Sequence, residues 1–146
     1  MLEATPGVYP MPMKDPYSDE ATRPFWEAAL QGRLMAPQCG KCGTFVLPPQ
    51  PRCFNCRAEA FDYVELPGTG SIYTFTVVRH PLAAHLAAAV PYVSGVIELD
   101  GTQGAGARLI ANIIDVDPDD VEIGDRVRIV FDRVSDTLAV PRFRPI

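Results

Sequence analysis

Four cysteines are the residues of this chain whose type and spacing most directly indicate chemistry. They are the only cysteines among 146 residues, and they follow the pattern Cys-x2-Cys, ten residues, Cys-x2-Cys at Cys39, Cys42, Cys53 and Cys56. Two such pairs supply the four thiolates of a tetrahedral zinc ion. Because four thiolates close the coordination shell, we predict one structural zinc rather than a catalytic one. Iron in a rubredoxin-like electron carrier is the alternative, since four thiolates also suit iron.

No self-contained catalytic set remains once every cysteine is assigned to the metal. The two histidines, His80 and His85, lie in no recognised nucleophile or metalloprotease motif. His80 follows Arg79 and precedes a proline, so it is either a plain loop histidine or a contact for a phosphate or a partner's carboxylate. The segment from Gly101 to Gly106 is glycine-rich, but strand rather than helix follows it, so we predict a hairpin turn rather than a phosphate loop. We therefore expect no enzyme activity from this chain alone.

Composition and charge narrow the class of protein. With 47% hydrophobic residues, the chain can bury a core and is expected to be soluble and globular. Its first residues lack the basic start and apolar stretch of a signal peptide, so we expect a cytoplasmic protein with metal-bound thiols rather than disulfides. The apolar run from Leu82 to Val90 is far shorter than the roughly 20 residues that span a bilayer, and no membrane segment is expected. A formal charge of −5 disfavours nucleic acid.

The elements that position the cysteines fall into four segments. Residues 1–17 are rich in proline and are predicted to form an extended arm, which is a candidate to lie on a partner. Residues 18–33 are predicted to form an amphipathic helix, with Ser18 as N-cap and Gly32 as the stop. Its apolar side carries Phe25 and Trp26 and must pack on its own domain, on another subunit or along a ligand tunnel. Residues 34–66 suit short hairpins held by metal, and residues 67–146 form the fourth segment.

The fourth segment is predicted to be a mainly β domain of five strands. They are Gly70 to Arg79, Tyr92 to Leu99, Ala107 to Ile114, Arg126 to Phe131 and Leu138 to Phe143. Between the third and fourth strands, residues 117–124 form a capped single turn. Five short strands of this kind suit a small closed barrel of the OB type.

Aromatic side chains of the predicted barrel have two interpretations. They can form the core or stack on nucleic-acid bases, as in other OB-folds. Strict alternation places Tyr73 and Phe75 on one face of their strand, and we expect that face to be core. The same expectation applies to the remaining aromatic residues, Tyr92, Phe131 and Phe143.

Several motifs in order resemble the DUF35 family, whose members join a rubredoxin-like zinc ribbon to an OB-fold. These are Phe25-Trp26 on the helix, the knuckles CGKCG (39–43) and CFNC (53–56), Gly68-Thr-Gly70 before YTFTVV (73–78), Pro91-Tyr92, and the closing RFRP (142–145). The resemblance covers roughly residues 18–146. Arg57 follows the second knuckle, where the first has Gly43.

The resemblance implies an accessory protein of acyl-CoA metabolism. DUF35 proteins partner thiolase-superfamily enzymes and hold or pass acyl-CoA, with no agreed catalytic residue. We therefore expect a noncatalytic subunit whose helix and ribbon form the entrance for a CoA thioester. Candidate ligand or partner contacts are Phe25, Trp26, Arg33, Lys41, Arg79, His80 and Arg142, with the cationic side chains Arg33, Lys41, Arg79 and Arg142 facing the phosphates. A single-stranded nucleic-acid module and a purely structural bridge in an enzyme complex are the alternatives. The sequence leaves open whether the chain forms a homo-oligomer.

Overall fold

The computed structural model describes residues 5–11, 15–16, 18–102 and 106–146. The chain is mostly β-structure, with one short helix, a two-stranded ribbon sheet and a closed five-stranded barrel. The predicted fold class is therefore confirmed. Residues 1–4, 12–14 and 17 of the predicted arm lie outside the described residues, as does the centre of the glycine-rich turn, residues 103–105.

The helix, α1, spans Arg23–Leu30 and begins five residues later than Ser18, the predicted N-cap. A closed turn precedes it, because Asp19 Oδ1 accepts from the Thr22 N–H at 2.9 Å and Thr22 Oγ1 accepts from the Asp19 N–H at 3.0 Å. These reciprocal bonds satisfy the N–H groups of Asp19 and Thr22 outside the helix. Pro24 then suits the first helical turn, where its missing N–H costs nothing.

At its other end α1 stops as predicted. Gly32 adopts a φ of +72°, and the N–H groups of Gly32 and Arg33 donate to the carbonyls of Ala29 and Ala28, both at 3.0 Å. This pattern closes the last turn with a left-handed glycine. Among the described residues, no helix has the length and apolar character that a membrane crossing requires.

The ribbon sheet pairs β1 (Met35–Cys39) antiparallel with β2 (Phe61–Glu65). The Cys39 end of β1 thus lies beside Phe61, and an isolated bridge joins Gln38 to Phe45. The chain between the two strands carries the remaining three cysteines. The ribbon sheet therefore forms the base from which both cysteine pairs project.

The barrel contains five strands in the order β3-β4-β5-β7-β6. Their bounds are β3 Thr69–Val78, β4 Tyr92–Leu99, β5 Arg108–Ile113, β6 Arg126–Arg133 and β7 Ala139–Pro145. The strands β5 and β7 pair in parallel at Ile113 and Phe143, and β3 and β6 close the barrel antiparallel. This is the OB-type arrangement that the five-strand pattern predicts.

The barrel core is built from alternating inward side chains. Phe143, Ile97 and Val127 are fully buried, and Phe25 of α1 and Leu34 belong to the same cluster. The apolar side of α1 therefore packs on its own chain. The core expectation is confirmed for Phe143, which is buried, and for Phe75 and Phe131, which are partly buried and pack against the same cluster. Tyr92 is also buried, but it packs against Tyr9 rather than in the barrel core.

Tyr73 is the exception, and its predicted core position is wrong. A β-bulge in β3 lies between Ile72, which pairs with Ile97, and Thr74, which pairs with Val96. Tyr73 is the extra residue and is 50% exposed, with the Arg108 guanidinium 3.7 Å above its ring. Because a bulge shifts alternation by one residue, Tyr73 and Phe75 point to opposite sides of the strand.

The two predicted turns are confirmed where the structure describes them. The strands β4 and β5 form an antiparallel pair, and Thr102 Oγ1 joins their ends by donating to the Leu99 carbonyl at 2.8 Å and accepting from the Ala107 N–H at 3.0 Å. Before β6, the Asp117 carboxylate caps a 3-10 turn, Pro118–Asp120, by accepting from the Asp119 N–H at 2.9 Å.

Candidate metal centre and ligand pocket

The two cysteine pairs are held by matching backbone turns. In the first, the Gly43 N–H donates to the Cys39 carbonyl at 2.9 Å, and in the second the Arg57 N–H donates to the Cys53 carbonyl at 2.9 Å. Gly43 has a φ of +74° and Arg57 a φ of +66°. Arg57 therefore occupies the left-handed position that glycine fills in the first turn, at a cost in backbone strain.

The four cysteine sulfurs converge on one point. All lie within 4.8 Å of one another. Cys39 Sγ is 3.5 Å from Cys56 Sγ, and Cys42 Sγ is 3.6 Å from Cys53 Sγ. A tetrahedral ion with metal–sulfur bonds of about 2.3 Å requires sulfur–sulfur separations of about 3.8 Å. The sulfurs thus fit a single four-coordinate metal ion, and the four cysteines are positioned to bind it.

Local hydrogen bonds lower the pKa of two of these thiols, Cys39 and Cys42, which favours the thiolates that a metal binds. The side chain and backbone of Thr44, followed by the Asn55 amide, lower the pKa of Cys42 to about 5. At Cys56 a backbone hydrogen bond from Ala58 favours the thiolate, but burial and the neighbouring thiols outweigh it and raise the pKa to about 11. Metal binding therefore has to displace protons from part of this cluster.

A second feature is an apolar pocket of about 620 Å³ beside α1. Four parts of the chain form its walls. They are the N-terminal segment (residues 5–11), the helix α1, the loop of the ribbon that contains Pro48 and Pro49 (the proline loop), and the barrel strands β3, β4, β5 and β7. Representative lining residues are Tyr9, Trp26, Pro48, Ser94 and Ile110. Its volume lies within the range of small-molecule sites, about 300–1,000 Å³.

A polar network lies at the inner wall of this pocket. Arg142 is 3% exposed, and it donates from Nε to Asp132 Oδ2 at 2.8 Å and from Nη1 to Asn112 Oδ1 at 3.0 Å. Both Arg142 and Asn112 line the pocket. The buried guanidinium is therefore charge-paired on one side and held by an amide on the other, as a buried cation requires.

Asn112 also fastens the N-terminal segment to the barrel. Its Oδ1 accepts from the Tyr9 N–H at 3.0 Å, and its Nδ2 donates to the Gly7 carbonyl at 3.2 Å and to the Val93 carbonyl at 2.9 Å. The rings of Tyr9 and Tyr92 meet edge to face with centroids 5.2 Å apart. Residues 5–11, predicted to be part of an extended arm, thus lie on the chain's own barrel and complete the pocket.

The predicted contact residues divide into two groups. Phe25, Trp26 and Arg142 are brought together as lining of the pocket. The other four lie elsewhere on the surface: Arg33 pairs with Glu65 at 2.9 Å, Arg79 pairs with Asp119, and Lys41 and His80 are exposed. Lys41 makes no ion pair with any residue that the structure describes.

Sequence reasoning missed Asn112, Tyr9 and the β5 residue Ile110. Ile110 is 73% exposed although it lies within an apolar strand. The sequence does contain an indication that Asn112 has a special role, because it is a single amide inside the apolar run Leu109–Ile114. A polar residue in such a run requires a buried partner, but its partners lie about 30 and 100 positions away.

Family models match most of the chain. Residues 26–62 match the rubredoxin-like zinc ribbon domain of ChsH2, and residues 63–132 match the C-terminal OB-fold domain of ChsH2. These two ranges cover the ribbon with both cysteine pairs and most of the barrel.

Individual proteins show the same similarity. A DUF35 domain-containing scaffold protein of Methanocaldococcus jannaschii is 36% identical over 104 residues, which cover 70% of each chain. A probable enoyl-CoA hydratase alpha subunit of Thermomonospora curvata is 39% identical over 122 residues, and the match covers 83% of this chain but 36% of that protein. The chain therefore spans about a third of that relative's length. A solved structure, the Ltp2-ChsH2(DUF35) aldolase, matches with a TM-score of 0.76 and 35% identity over 89% of this chain and 98% of that one.

Proposed function

The chain belongs to the DUF35 family, with the zinc ribbon and OB-fold of ChsH2, and we propose that it is a noncatalytic subunit that binds the acyl part of a CoA thioester for a thiolase-superfamily enzyme. The observation that carries this proposal is the apolar pocket of about 620 Å³. The names of its relatives are consistent with the role of a subunit, because they denote a scaffold protein, a hydratase subunit and an aldolase complex.

The chemistry of the pocket supports binding without catalysis. Its lining among the described residues contains no cysteine, histidine, lysine or carboxylate. General acid–base catalysis needs a titratable group within hydrogen-bond reach of the substrate, and nucleophilic catalysis needs an activated side chain. The titratable groups of the described lining are Tyr9, Tyr92 and Arg142, of which Arg142 is paired with Asp132. Most of the remaining lining is apolar surface, including Phe25, Trp26 and Ile110, which suits binding. The reaction would then take place in the partner enzyme.

The phosphates of CoA would lie outside the pocket. Lys41 is an exposed cation without an ion-pair partner among the residues described here, and Arg33 and Arg79 form exposed pairs. Exposed ion pairs contribute little to stability, so either arginine can exchange its carboxylate for a phosphate at little cost. The burial of Arg142 favours contact with the acyl part over the phosphates.

The proposed metal is zinc in a structural role. Four thiolates leave no coordination position for water or substrate, and the ligands hold two turns of the ribbon together. Its contribution would be to the folding of residues near 35–65, next to the proline loop that lines the pocket.

Trp26 provides the direct test of ligand binding. It is the only tryptophan of the chain and it lines the pocket, so its emission reports on occupancy. Decanoyl-CoA should change this emission saturably, whereas CoA without an acyl group should not do so at the same concentration. The variant Ser94→Leu, which fills part of the pocket, should weaken decanoyl-CoA binding at least about tenfold. Thr74→Leu is the matched control, because Thr74 is exposed on β3 outside the pocket.

Equal binding by both variants would show that the acyl group binds elsewhere. Failure of decanoyl-CoA to bind to the wild-type chain, with or without its partner enzyme, would refute the binding function.

The partner assignment needs a separate experiment. The full chain is mixed with a thiolase-superfamily enzyme from the same organism, and the mass of the mixture is measured by light scattering after size exclusion. A stable complex is expected. If the complex forms and the Ser94→Leu variant leaves acyl transfer by the complex unchanged, the purely structural bridge is favoured. If no complex forms, the proposed partner is contradicted.

A further inference from the structure

The second strand of the ribbon sheet, β2, is paired on one side only. It pairs with β1 over residues 61–65, and within the described ranges no further strand joins this sheet. The strand β1 is covered on both sides, because the Val46 N–H donates to the Pro37 carbonyl at 2.9 Å from the side opposite β2. The open edge of the ribbon sheet is therefore β2.

The register of the pair shows which backbone groups of β2 face outward. At the two ends of the pair, the Leu66 N–H donates to the Leu34 carbonyl and the Gly40 N–H donates to the Ala60 carbonyl, both at 2.9 Å. These bonds fix the even-numbered residues of β2 as the ones that bond to β1. In an antiparallel pair, the residues between them point their N–H and C=O groups away from the neighbouring strand. The outward residues of β2 are Phe61, Tyr63 and Glu65.

The outward backbone groups are free to bind another strand. None of them makes a hydrogen bond to a residue that the structure describes. No residue of β2 is buried, whereas Ala36, Pro37 and Cys39 of β1 are. Such an edge accepts an extended segment, whose backbone supplies affinity and whose alternating side chains supply specificity.

One face of β2 adjoins a second cavity, of about 670 Å³. Phe61 and Tyr63 lie on this face and line the cavity together with Pro37 and Pro51. The cavity shares no lining residue with the acyl pocket beside α1. A strand added to β2 places every second side chain next to this aromatic and apolar surface.

The charges around β2 indicate which kind of strand fits its edge. Asp62, on the other face of β2, and Glu20, beside the cavity, are exposed carboxylates without an ion pair to any described residue. Glu59 and Glu65 are also exposed, each in an ion pair with an arginine. Opposite charges on neighbouring strands stabilise a sheet, so a cation beside Asp62 is favoured.

The same charges disfavour a second copy of this chain on the edge. Antiparallel self-pairing about Tyr63 would set Asp62 opposite Val64 of the other copy. The two Asp62 side chains would then lie diagonally on one face, about 7–8 Å apart, where like charges repel. A basic strand meets no such repulsion.

We propose that β2 is a docking edge for an extended segment of a partner protein, with a lysine or arginine beside Asp62 and apolar side chains next to Phe61 and Tyr63. The segment would extend the ribbon sheet from two strands to three. The docking edge goes beyond the proposed function, because it involves neither the acyl pocket nor a CoA thioester.

The test uses a synthetic peptide, acetyl-Thr-Val-Lys-Val-Lys-Val-Thr-amide, and its acidic counterpart with glutamate in place of lysine. Nitrogen-15 correlation spectra of the full zinc-loaded chain are recorded with millimolar peptide. The Phe61, Tyr63 and Glu65 amides should shift and exchange more slowly with solvent. The Asp62 and Val64 amides, which already bond to β1, should change least. The basic peptide should bind about threefold tighter than the acidic one, or more.

Charge-reversal variants assign this preference to the edge. Asp62→Lys should reverse the order of the two peptides, because the cation beside the added strand then repels lysine. Glu122→Lys is the matched control, since it changes the net charge equally at an exposed position outside the ribbon and should keep the order.

Three results would overturn the proposal. The first is the absence of shifts at the three outward amides with the basic peptide. The second is equal binding of both peptides, or an unchanged order in Asp62→Lys. The third is slow exchange of the outward amides in the chain alone that increases with its concentration, which would assign the edge to a second copy.

Discussion

Replacing Asn112 by leucine is predicted to loosen both the N-terminal segment and the pocket. The Asn112 side chain accepts from the Tyr9 N–H and from Arg142 Nη1, and it donates to the carbonyls of Gly7 and Val93. Leucine has a similar size but makes none of these bonds. The change therefore removes a hydrogen-bonding centre without leaving a large cavity.

The expected cost follows from the kinds of bond that are lost. A neutral hydrogen bond contributes about 1 kcal/mol and one to a charged group about 1.5–3 kcal/mol. The bond from Arg142 belongs to the second kind, and its loss leaves a buried guanidinium nitrogen unpaired. Because the bonds to residues 7 and 9 are only partly buried, we expect Asn112→Leu to lower the free energy of unfolding by about 3–5 kcal/mol.

Urea unfolding measures the free-energy change, and hydrogen exchange of the Gly7 and Tyr9 amides measures release of the N-terminal segment. Ser94→Ala is the matched control, since Ser94 pairs with Asn112 across β4 and β5 and should cost less than about 1 kcal/mol. A loss below about 1 kcal/mol for Asn112→Leu, with exchange of both amides unchanged, would refute this account of the network.

Further predictions concern the metal, the cysteine turns and one surface carboxylate. Metal analysis should find about one zinc per chain, and Cys53→Ser should lose it and unfold the ribbon; a stable metal-free ribbon, or bound iron, would contradict this. Gly43→Ala should cost about 1–2 kcal/mol in urea unfolding, because its φ is +74°. At the equivalent position, Arg57→Gly should change stability by less than about 1 kcal/mol, because the relief of left-handed backbone strain is offset by a more flexible unfolded chain. Equal losses of stability in Gly43→Ala and Arg57→Gly would disprove the equivalence of the two turns. Hydrogen bonds from Arg126 and Thr69 lower the pKa of Asp100 to about 2. The stability lost in Asp100→Asn should therefore be constant from neutral pH down to about 5, fall progressively as the pH drops toward the folded pKa, and vanish only below about 2. A stability difference that does not decrease between pH 5 and 2 would contradict the assignment.

Much of the fold follows from local patterns in the sequence. The cysteine spacing predicts the metal cluster because two short turns suffice to direct the sulfurs, and both turns are local. The five strands follow from alternation, since each buries one face in the barrel. Tyr73 shows the limit of that reasoning, because the bulge beside it depends on how β3 pairs with β4 and not on β3 alone. The helix start similarly depends on the reciprocal bonds of Asp19 and Thr22.

The candidate pocket was less accessible to sequence reasoning than the metal cluster. Phe25, Trp26 and Arg142 were identified by type, but nothing local places Tyr9 beside Asn112, which is about 100 residues away. The pocket exists because four distant segments meet on the outer face of a barrel. Only the closed strand order brings β5 beside β7, and thereby Asn112 beside Arg142.

The central claim is that the pocket between α1, residues 5–11 and the barrel holds the acyl part of a CoA thioester. Nitrogen-15 correlation NMR of the full chain, titrated with decanoyl-CoA and with CoA, tests it most directly. Decanoyl-CoA should shift the Trp26 indole N–H and the Asn112 side-chain amide, and CoA alone should leave both unchanged. Shifts confined to residues outside the pocket, or equal shifts with CoA alone, would contradict the claim.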